Sequence, residues 1–379
     1  MNNKQKKILF IYSNLADGGT QSQLSILSKY LCENNEVYIA LFKNEQLFPF
    51  HGKIIDLKAP TTKNPILLIY YIFKRIFKIN SLSKKLQPDI IISLSVIANM
   101  CTLISKSIFF FKTPIIITFE NSLIMNKKGM GFVGRIALIL NKLLSNKAAK
   151  IIAVSKDLKK ELIQYNFSSN KIITLYNGID ISLINQKKIE DIEDEYKEFF
   201  NTNYPIITTV GRLSEQKNHK LLLDAFNLLN KNIKTKLVII GDGPKKNELI
   251  SYCKQLGIES NVLFTGWVKN PYKFLNRSDI FVLSSLWEGL GIVIIEALAI
   301  GLPVISTDCP TGPGEIITNE MNGILVPIND PYKLSNAIER VLTNKDLKEK
   351  LIKNGLKRAK EFSIVERTKE LNKIIDECI

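Results

Sequence analysis

The chain has 379 residues, of which 45% are hydrophobic and 23% charged, proportions that are typical of a globular protein with a buried core. Five scattered cysteines without a C-x-x-C pair and only two histidines argue against a disulfide framework, a zinc site and a Ser-His-Asp triad. The formal net charge is +16 and lies entirely in residues 1–190, which hold 27 basic and 11 acidic residues; residues 191–379 hold 25 of each. The basic half indicates an anionic partner (nucleic acid, a phosphorylated ligand or an acidic membrane surface) or a lysine-rich solvated surface.

Short runs of Ile, Val, Leu and Phe alternate with helix-sized stretches along most of the chain. The predicted strands are 8–13, 37–42, 89–95, 114–119, 150–155 and 171–176 in the first half, and 205–211, 236–241, 261–265, 279–284, 303–306 and 323–326 in the second. Most of these runs are continuous rather than alternating, which is typical of parallel strands covered by helices on both faces. The alternation of strands and helices predicts a doubly wound α/β fold.

A polar, acidic stretch over residues 181–204 interrupts this rhythm and is predicted to be a linker. The prediction is therefore an N-terminal Rossmann-like domain, residues 1–180, and a C-terminal one, residues 205–362. Residues 363–379 are predicted to form a helix that returns to the N-terminal domain. In such a pair, ligands bind where the carboxyl ends of the strands face the central cleft.

The apolar runs of the chain are short. The longest, residues 66–73, is far below the roughly 20 residues of a membrane-spanning helix, and the run at 8–12 is too short for the core of a signal peptide. We therefore expect a cytoplasmic protein. The segments 66–77 and 127–150 nevertheless combine apolar stripes with Lys and Arg, and such helices either lie on an anionic membrane or pack their apolar faces on the sheet.

The segment that begins at Gly211 follows a predicted strand and precedes an amphipathic helix. Arg212 can grip phosphate oxygens through its planar fork, and Lys217 adds a compact positive charge. Only 7 of the 52 basic residues are arginines, which makes an arginine at this point notable. The segment is therefore a candidate phosphate-binding loop, although Ser214 fits equally well as a simple helix cap.

A second strand leads into a turn with Glu288 and a helix with Glu296. Backbone N–H groups at the start of that helix can meet a phosphate or sugar hydroxyls. Glu296 lies about two turns inside an apolar helix, where a carboxylate is costly unless it is paired or bound to a ligand. The alternative is a glutamate on the outer face of the helix.

Together these segments resemble the retaining glycosyltransferases of family 4, which have the GT-B fold of two Rossmann-like doubly wound domains facing a central cleft. The similarity is strong in the C-terminal half and weaker in the first half. The strings that carry it are Gly211-Arg212-x4-Lys217, Glu288-x7-Glu296, Ala299-x-Gly301-x-Pro303-Val304-Ile305, Ser13-x4-Gly18-Gly19 and Tyr176-Asn177-Gly178-Ile179-Asp180.

The resemblance implies a role for each matching residue. Arg212 and Lys217 hold the donor diphosphate and stabilise the leaving group, and Glu296 binds the ribose hydroxyls. Glu288 and the backbone at Gly289, Leu290 and Gly291 hold the donor sugar. Trp267 and Val268, which follow Gly266, contact the nucleobase. Gly18 and Gly19 let the first loop approach the phosphates closely.

The chain departs from the family after the fourth N-terminal strand recognised here, where many members have a histidine. This chain has Glu120 and Asn121 there, which are the candidate replacements as sugar or acceptor contacts. No D-x-D sequence stands out, consistent with metal-independent members that use no cofactor. The resemblance further implies a UDP-sugar donor, a glycan acceptor carried on a polyprenyl diphosphate, and peripheral attachment to the inner face of the cytoplasmic membrane. Residues 306–317 are similar to members that assemble bacterial surface polysaccharides and glycoprotein glycans.

Four other functions fit the sequence less well. A glycosidase needs two carboxylates flanking one bond and has no use for the loop at Arg212. A nucleic-acid-binding protein would fit the basic half, but the chain has no recognised binding motif. A nicotinamide-dependent oxidoreductase lacks its G-x-G-x-x-G fingerprint. A GT-B relative with other chemistry, such as an epimerase or a phosphorylase, fits the combination of phosphate loop and glutamate pair less well.

Overall fold

The computed structural model describes residues 5–16, 18–62, 64–123 and 131–379. The chain divides into two compact units of similar size. The first comprises Met1–Gly178 with Ile364–Ile379, and the second comprises Ile179–Ser363. Each has its own parallel sheet and its own hydrophobic core.

The first unit is built on a seven-stranded sheet in the order β3-β2-β1-β4-β5-β6-β7, with every neighbouring pair parallel. Its strands are β1 (Lys6–Tyr12), β2 (Asn35–Leu41), β3 (Lys53–Asp56), β4 (Ile90–Leu94), β5 (Ile115–Phe119), β6 (Lys150–Ala153) and β7 (Ile172–Thr174). Its helices are α1 (Gly19–Leu31), α2 (Pro65–Leu86), α3 (Val96–Phe109), α4 (Phe132–Leu143) and α5 (Lys156–Gln164).

The second unit has a six-stranded sheet in the order β10-β9-β8-β11-β12-β13, again parallel throughout. Its strands are β8 (Ile206–Val210), β9 (Lys236–Ile240), β10 (Val262–Gly266), β11 (Ile280–Leu283), β12 (Val304–Thr307) and β13 (Ile324–Val326). Its helices are α6 (Ile181–Lys187), α7 (Asp194–Phe200), α8 (His219–Leu229), α9 (Lys246–Leu256), α10 (Tyr272–Leu275), α11 (Ile292–Ile300), α12 (Pro313–Ile316), α13 (Pro331–Thr343) and α14 (Lys345–Lys360). The last helix, α15 (Ile364–Asp376), is part of the first unit.

The doubly wound α/β prediction is confirmed, since both sheets begin at a central strand and reverse direction there. Each of the twelve predicted strands is present, and β4, β5, β11 and β12 are buried over their whole length. The prediction missed β3, whose Ile54 and Ile55 are flanked by Lys53 and Asp56 at the edge of the sheet. Such a strand is too short and too polar to give a continuous apolar run.

The stretch that the sequence predicts as a linker, residues 181–204, contains α6 and α7 and belongs to the second unit. Tyr196, Phe199 and Phe200 pack against a cluster of buried residues that includes Val238 and Phe274. Aromatic residues within an otherwise charged stretch thus attach it to the sheet. Helix α15 packs against α1 and contributes two side chains to the first core.

None of the described helices combines the length and the hydropathy that crossing a bilayer requires.

Candidate functional site

Three loops meet at the carboxyl edge of the second sheet. The Gly211 N–H donates to the Ile240 carbonyl at 2.9 Å, and the Gly241 N–H donates to the Gly266 carbonyl at 2.8 Å. These bonds extend the pairing of β8, β9 and β10 beyond the strands. They place the predicted phosphate loop at 211–218 beside the segment that begins at Gly266.

This close approach depends on the absence of a side chain at Gly241. Its φ is +136°, and a Cβ built there would lie 2.1 Å from the Gly211 carbonyl oxygen. We expect Gly241→Ala to lower the free energy of unfolding of the second unit by about 3 kcal/mol or more, because both the backbone strain and the clash must be relieved. The measurement is a urea unfolding curve followed by fluorescence.

The matched control is Gly257→Ala at the end of α9. Gly257 also has positive φ, +68°, but a Cβ there would meet nothing within 4 Å. That change should cost only about 1 kcal/mol, the strain of a left-handed alanine. Equal losses in the two variants would show that the contact between the loops contributes nothing.

Lys217 and Glu288, predicted from separate segments, form a buried ion pair. Lys217 Nζ lies 2.5 Å from Glu288 Oε1, and the two side chains are only 16% and 7% exposed. Ser285 Oγ donates to the same oxygen at 2.5 Å. The two segments are also joined through backbone, since the Leu286 N–H donates to the Gln216 carbonyl at 2.7 Å. The structure therefore assembles the predicted diphosphate and sugar contacts into one cluster.

Arg212 differs from Lys217 in its surroundings. Its side chain is exposed, and no ion pair or hydrogen bond within the described part of the chain holds the guanidinium. It follows Gly211 directly at the carboxyl end of β8. Arg212 thus has five unused N–H donors at the edge of the sheet where a ligand would bind.

Glu296 is buried within α11, as the apolar sequence around it predicts. Its Oε1 accepts a hydrogen bond from Tyr272 Oη at 2.8 Å. Burial raises the pKa of the Glu296 carboxyl to about 7, and the bond from Tyr272 only partly offsets that effect. A group that is half-ionised near neutral pH and has one oxygen partnered is poised to accept a further hydrogen bond.

Tyr272 belongs to the cluster although no sequence motif predicts it. It begins α10, and its N–H donates to Asn270 Oδ1 at 3.1 Å, which starts the turn that carries the ring to Glu296. The Asn270-Pro271 pair is a turn signal that could have drawn attention to this position.

The backbone from Gly289 to Gly291 is buried and leads into α11. Gly291 caps the helix with φ +87°. The loop before α12 supports this turn, because Thr311 Oγ1 donates to the Glu288 carbonyl. The segment 306–317, noted in the sequence for its similarity alone, thus holds the predicted sugar-binding turn in place.

Trp267 and Val268 lie just beyond Gly266. The Trp267 side chain is 41% exposed, whereas Val268 packs against the apolar cluster around Phe274. Trp267 is thus partly exposed at the end of β10, and Val268 has a packing role that explains its residue type.

In the first unit, Glu120 follows β5 and accepts a hydrogen bond from Thr20 Oγ1, one residue beyond the Gly18-Gly19 turn that starts α1. Burial raises the pKa of the Glu120 carboxyl to about 7. Glu120 lines an apolar pocket whose polar residues include Gln23 and Asn177. Asn121 is exposed. The structure thus brings Glu120 and the glycine turn together at the edge of the first sheet.

Other reactive groups lie outside these clusters. Across the described ranges, no group of three or more His, Cys, Asp or Glu side chains could hold a metal ion. Cys309 is buried, and burial raises the pKa of its thiol to about 12, which disfavours the nucleophilic thiolate at neutral pH.

The chain matches two family models. The model described as Glycosyltransferase Family 4 covers residues 17–183, and the model described as Glycosyl transferases group 1 covers residues 189–358. An uncharacterized glycosyltransferase of Methanocaldococcus jannaschii is 34% identical over 100% of both chains. The N-acetylgalactosamine-N,N'-diacetylbacillosaminyl-diphospho-undecaprenol 4-alpha-N-acetylgalactosaminyltransferase of Campylobacter jejuni is 31% identical over 98% of this chain and 99% of that protein.

Solved structures resemble the fold over nearly the whole chain. The Anabaena HepE complex with UDP and glucose has a TM-score of 0.81 at 20% identity, covering 98% of this chain and all of that one. Sucrose-phosphate synthase from Thermosynechococcus elongatus has a TM-score of 0.83 at 18% identity, covering 98% and 99%. At these identities the similarity establishes the fold.

Proposed function

The chain belongs to the glycosyltransferases of family 4 and has their GT-B fold, and from this premise we propose that it transfers a hexose or N-acetylhexosamine from a UDP-sugar to a glycan acceptor with retention of configuration. The observation that carries the proposal is the cluster at the edge of the second sheet. This cluster contains Arg212, the buried Lys217–Glu288 pair and the buried Glu296. These residues lie on loops and a helix that follow neighbouring strands.

The positive groups of this cluster suit a diphosphate leaving group. Arg212 would bind its oxygens through two N–H groups, and Lys217 would add positive charge close by. Negative charge grows on the diphosphate as the bond to the sugar breaks, so fixed cations there stabilise the transition state more than the ground state. These two residues would supply the charge for which other enzymes use a metal ion, and the proposed reaction requires no cofactor.

The proposed chemistry proceeds on one face of the sugar. The bond from the anomeric carbon to the diphosphate oxygen breaks, the acceptor oxygen bonds to the same carbon, and the departing diphosphate takes the acceptor proton. No protein nucleophile takes part. Glu288 and the backbone at 289–291 would hold the donor sugar, and the free oxygen of Glu296 would accept hydrogen bonds from the ribose hydroxyls.

For the acceptor, we propose a glycan carried on a polyprenyl diphosphate, used in the assembly of bacterial surface glycans. The name of the Campylobacter jejuni relative describes transfer to such a lipid-linked glycan, and the net charge of residues 1–190 suits an acceptor that bears a diphosphate. Glu120, Asn121 and the Gly18-Gly19 turn are the proposed contacts of the first unit. We propose in addition that the enzyme works peripherally at the inner face of the cytoplasmic membrane.

The test is a thermal-shift panel of UDP, GDP, ADP and NAD on the wild type, Arg212→Ala and Glu296→Ala. We expect selective stabilisation by UDP in the wild type and its loss in both variants. Arg340→Ala is the matched control, because Arg340 pairs on the surface with Glu320 and should leave the UDP response intact. A folded wild type that responds to no nucleotide would contradict the donor assignment.

A further inference from the structure

Two helices of the first unit turn large apolar side chains toward solvent. On α2, Ile66, Tyr70, Phe73 and Phe77 are between 55% and 77% exposed. On α4, Phe132, Ile136, Ile139 and Leu143 are between 38% and 79% exposed. Both sets follow the same spacing of four, three and four residues, which places each on one side of its helix.

The helices that carry the two stripes flank α3, which packs against both α2 and α4. The end of α3 adds apolar groups of its own. The ring of Phe77 meets the ring of Phe109 edge-on at 5.3 Å, and Ile108 and Phe110 are exposed. We call the exposed stripes of α2 and α4, with Ile108 and Phe110, the apolar face.

Helix α2 is apolar on more than one side. Its buried side carries Ile76 and Ile79 together with Arg75, Asn80 and Ser83, while Tyr70, Phe73 and Phe77 lie outside. Arg75 is fully buried, donates through Nε and Nη2 to the Ala59 carbonyl at 3.0 and 2.8 Å, and stacks on the ring of Phe42. Packing inside the unit therefore accounts for Ile76 and Ile79 but not for the exposed stripe of α2, and a surface this apolar on a folded unit calls for a partner.

Charge indicates which partner it is. Helices α2, α3 and α4 contain no Asp or Glu, and residues 57–149 contain 14 Lys and Arg against two acidic residues, Asp89 and Glu120. The basic residues of the three helices include Lys74, Lys78, Lys106, Arg135 and Lys142. Apolar stripes interleaved with basic side chains alone are typical of segments that lie on anionic lipid, whereas lysine is depleted at protein interfaces.

We propose that the apolar face seats the enzyme on an anionic bilayer. The rings and aliphatic chains enter the boundary between headgroups and acyl chains, and the Lys and Arg side chains meet the anionic headgroups. Because helices of a parallel α/β unit run opposite to its strands, the ends at Ile66 and Phe132 lie toward the carboxyl edge of the sheet, as does Glu120. The inference rests on the proposed function in that the lipid-linked acceptor then reaches this edge without leaving the membrane.

The experiment is co-sedimentation of the full chain with phosphatidylcholine vesicles, with or without phosphatidylglycerol. The wild type should pellet with the anionic vesicles only. The variant Ile66→Gln, Phe73→Gln, Phe132→Gln removes three exposed anchors and should bind at least about tenfold more weakly, since each loses its insertion into the acyl boundary. The control variant Ile189→Gln, Met321→Gln, Tyr332→Gln removes three exposed apolar side chains of the second unit and should bind as the wild type does.

Three results would overturn the proposal: a wild type that stays in the supernatant at low salt, equal binding to neutral vesicles, or equal loss in both triple variants. If the wild type bound no vesicles but self-associated, and the triple variant of the apolar face did not, the apolar face would instead bind a second copy of the chain. The thermal shift with UDP, measured on the same samples, separates this inference from the proposed function. Vesicle binding without a UDP response would contradict only the donor assignment. A UDP response without vesicle binding would contradict only the membrane role of the apolar face.

Discussion

Glu296→Gln is expected to raise the thermal stability of the free protein at pH 8 while weakening its binding of UDP-glucose by about ten- to a hundredfold. The two effects have one origin, the buried carboxyl that Tyr272 holds on one side. Glutamine has the shape of the protonated carboxyl and keeps an oxygen for the Tyr272 hydroxyl. It lacks the negative charge that we propose the ribose hydroxyls to meet.

The sign of the stability effect follows from the direction of the pKa shift. Burial raises the Glu296 pKa from an ordinary 4.5 to about 7, so the folded state binds the proton more tightly than the unfolded state does. This contribution to stability is full below pH 4.5 and is lost as pH rises through 7, with a cost of about 3 kcal/mol at pH 8. Replacement by glutamine should therefore stabilise the protein at pH 8 and have little effect at pH 5.

The measurements are melting temperatures at pH 5 and pH 8, and UDP-glucose affinities at pH 6 and pH 8. Wild-type affinity should rise with pH, because the donor favours the ionised carboxylate, and the variant should lose this dependence. UDP-glucose is suitable because its diphosphate is esterified at both ends and does not titrate in this range. Glu349→Gln, at an exposed surface pair, is the control and should change neither quantity.

A melting temperature that falls at pH 8 in Glu296→Gln would show that the carboxylate is stabilised by its surroundings rather than strained by burial. Unchanged affinity together with the expected gain in stability would instead leave the burial argument standing and remove Glu296 from the donor site.

The sequence predicts the elements better than the contacts between them. The continuous apolar runs identify twelve of the thirteen strands in the described ranges, because a parallel strand must be apolar on both faces wherever helices cover it. Strand β3 is not predicted, because a strand at the edge of the sheet needs few apolar residues. It has only two isoleucines, between Lys53 and Asp56. The apolar surroundings of Glu296 likewise predict its burial, a property of its own helix.

Pairings across the fold leave no local signal. Nothing near Lys217 indicates that its partner is Glu288, and nothing near Glu296 indicates Tyr272, because sheet order and loop conformation set these contacts. The exposed stripe of α2 is a similar case. Its sequence is apolar on more than one side, and only the structure shows that Ile76 and Ile79 are buried with Arg75 while Phe73 and Phe77 are exposed.

Arg212→Ala and Lys217→Met are expected to weaken UDP binding alike, by about ten- to a hundredfold, but to differ sharply in their effect on stability. Arg212 is exposed and has no partner in the described part of the chain, so its removal should leave the free energy of unfolding within about 0.5 kcal/mol of the wild type. Lys217 neutralises the buried Glu288, and removing it should cost about 3 kcal/mol because a buried charge is left unpaired.

The double variant Lys217→Met, Glu288→Gln separates the two roles of the lysine. It removes both charges and keeps an acceptor for Ser285 Oγ, so it should recover most of the stability that Lys217→Met loses. It should not recover UDP binding, because no cation returns to the site. Urea unfolding and calorimetric titration with UDP, run on all four proteins, measure the two quantities.

If the double variant regained UDP binding along with stability, Lys217 would serve only to neutralise Glu288, and Arg212 alone would face the diphosphate. If Arg212→Ala instead lost as much stability as Lys217→Met, the guanidinium would stabilise the fold. Its loss would then be no evidence that Arg212 binds the diphosphate. Equal stability in Arg212→Ala with a large loss of UDP affinity is the result that a dedicated phosphate contact requires, since a side chain that contributes nothing to the fold can affect binding only through the ligand.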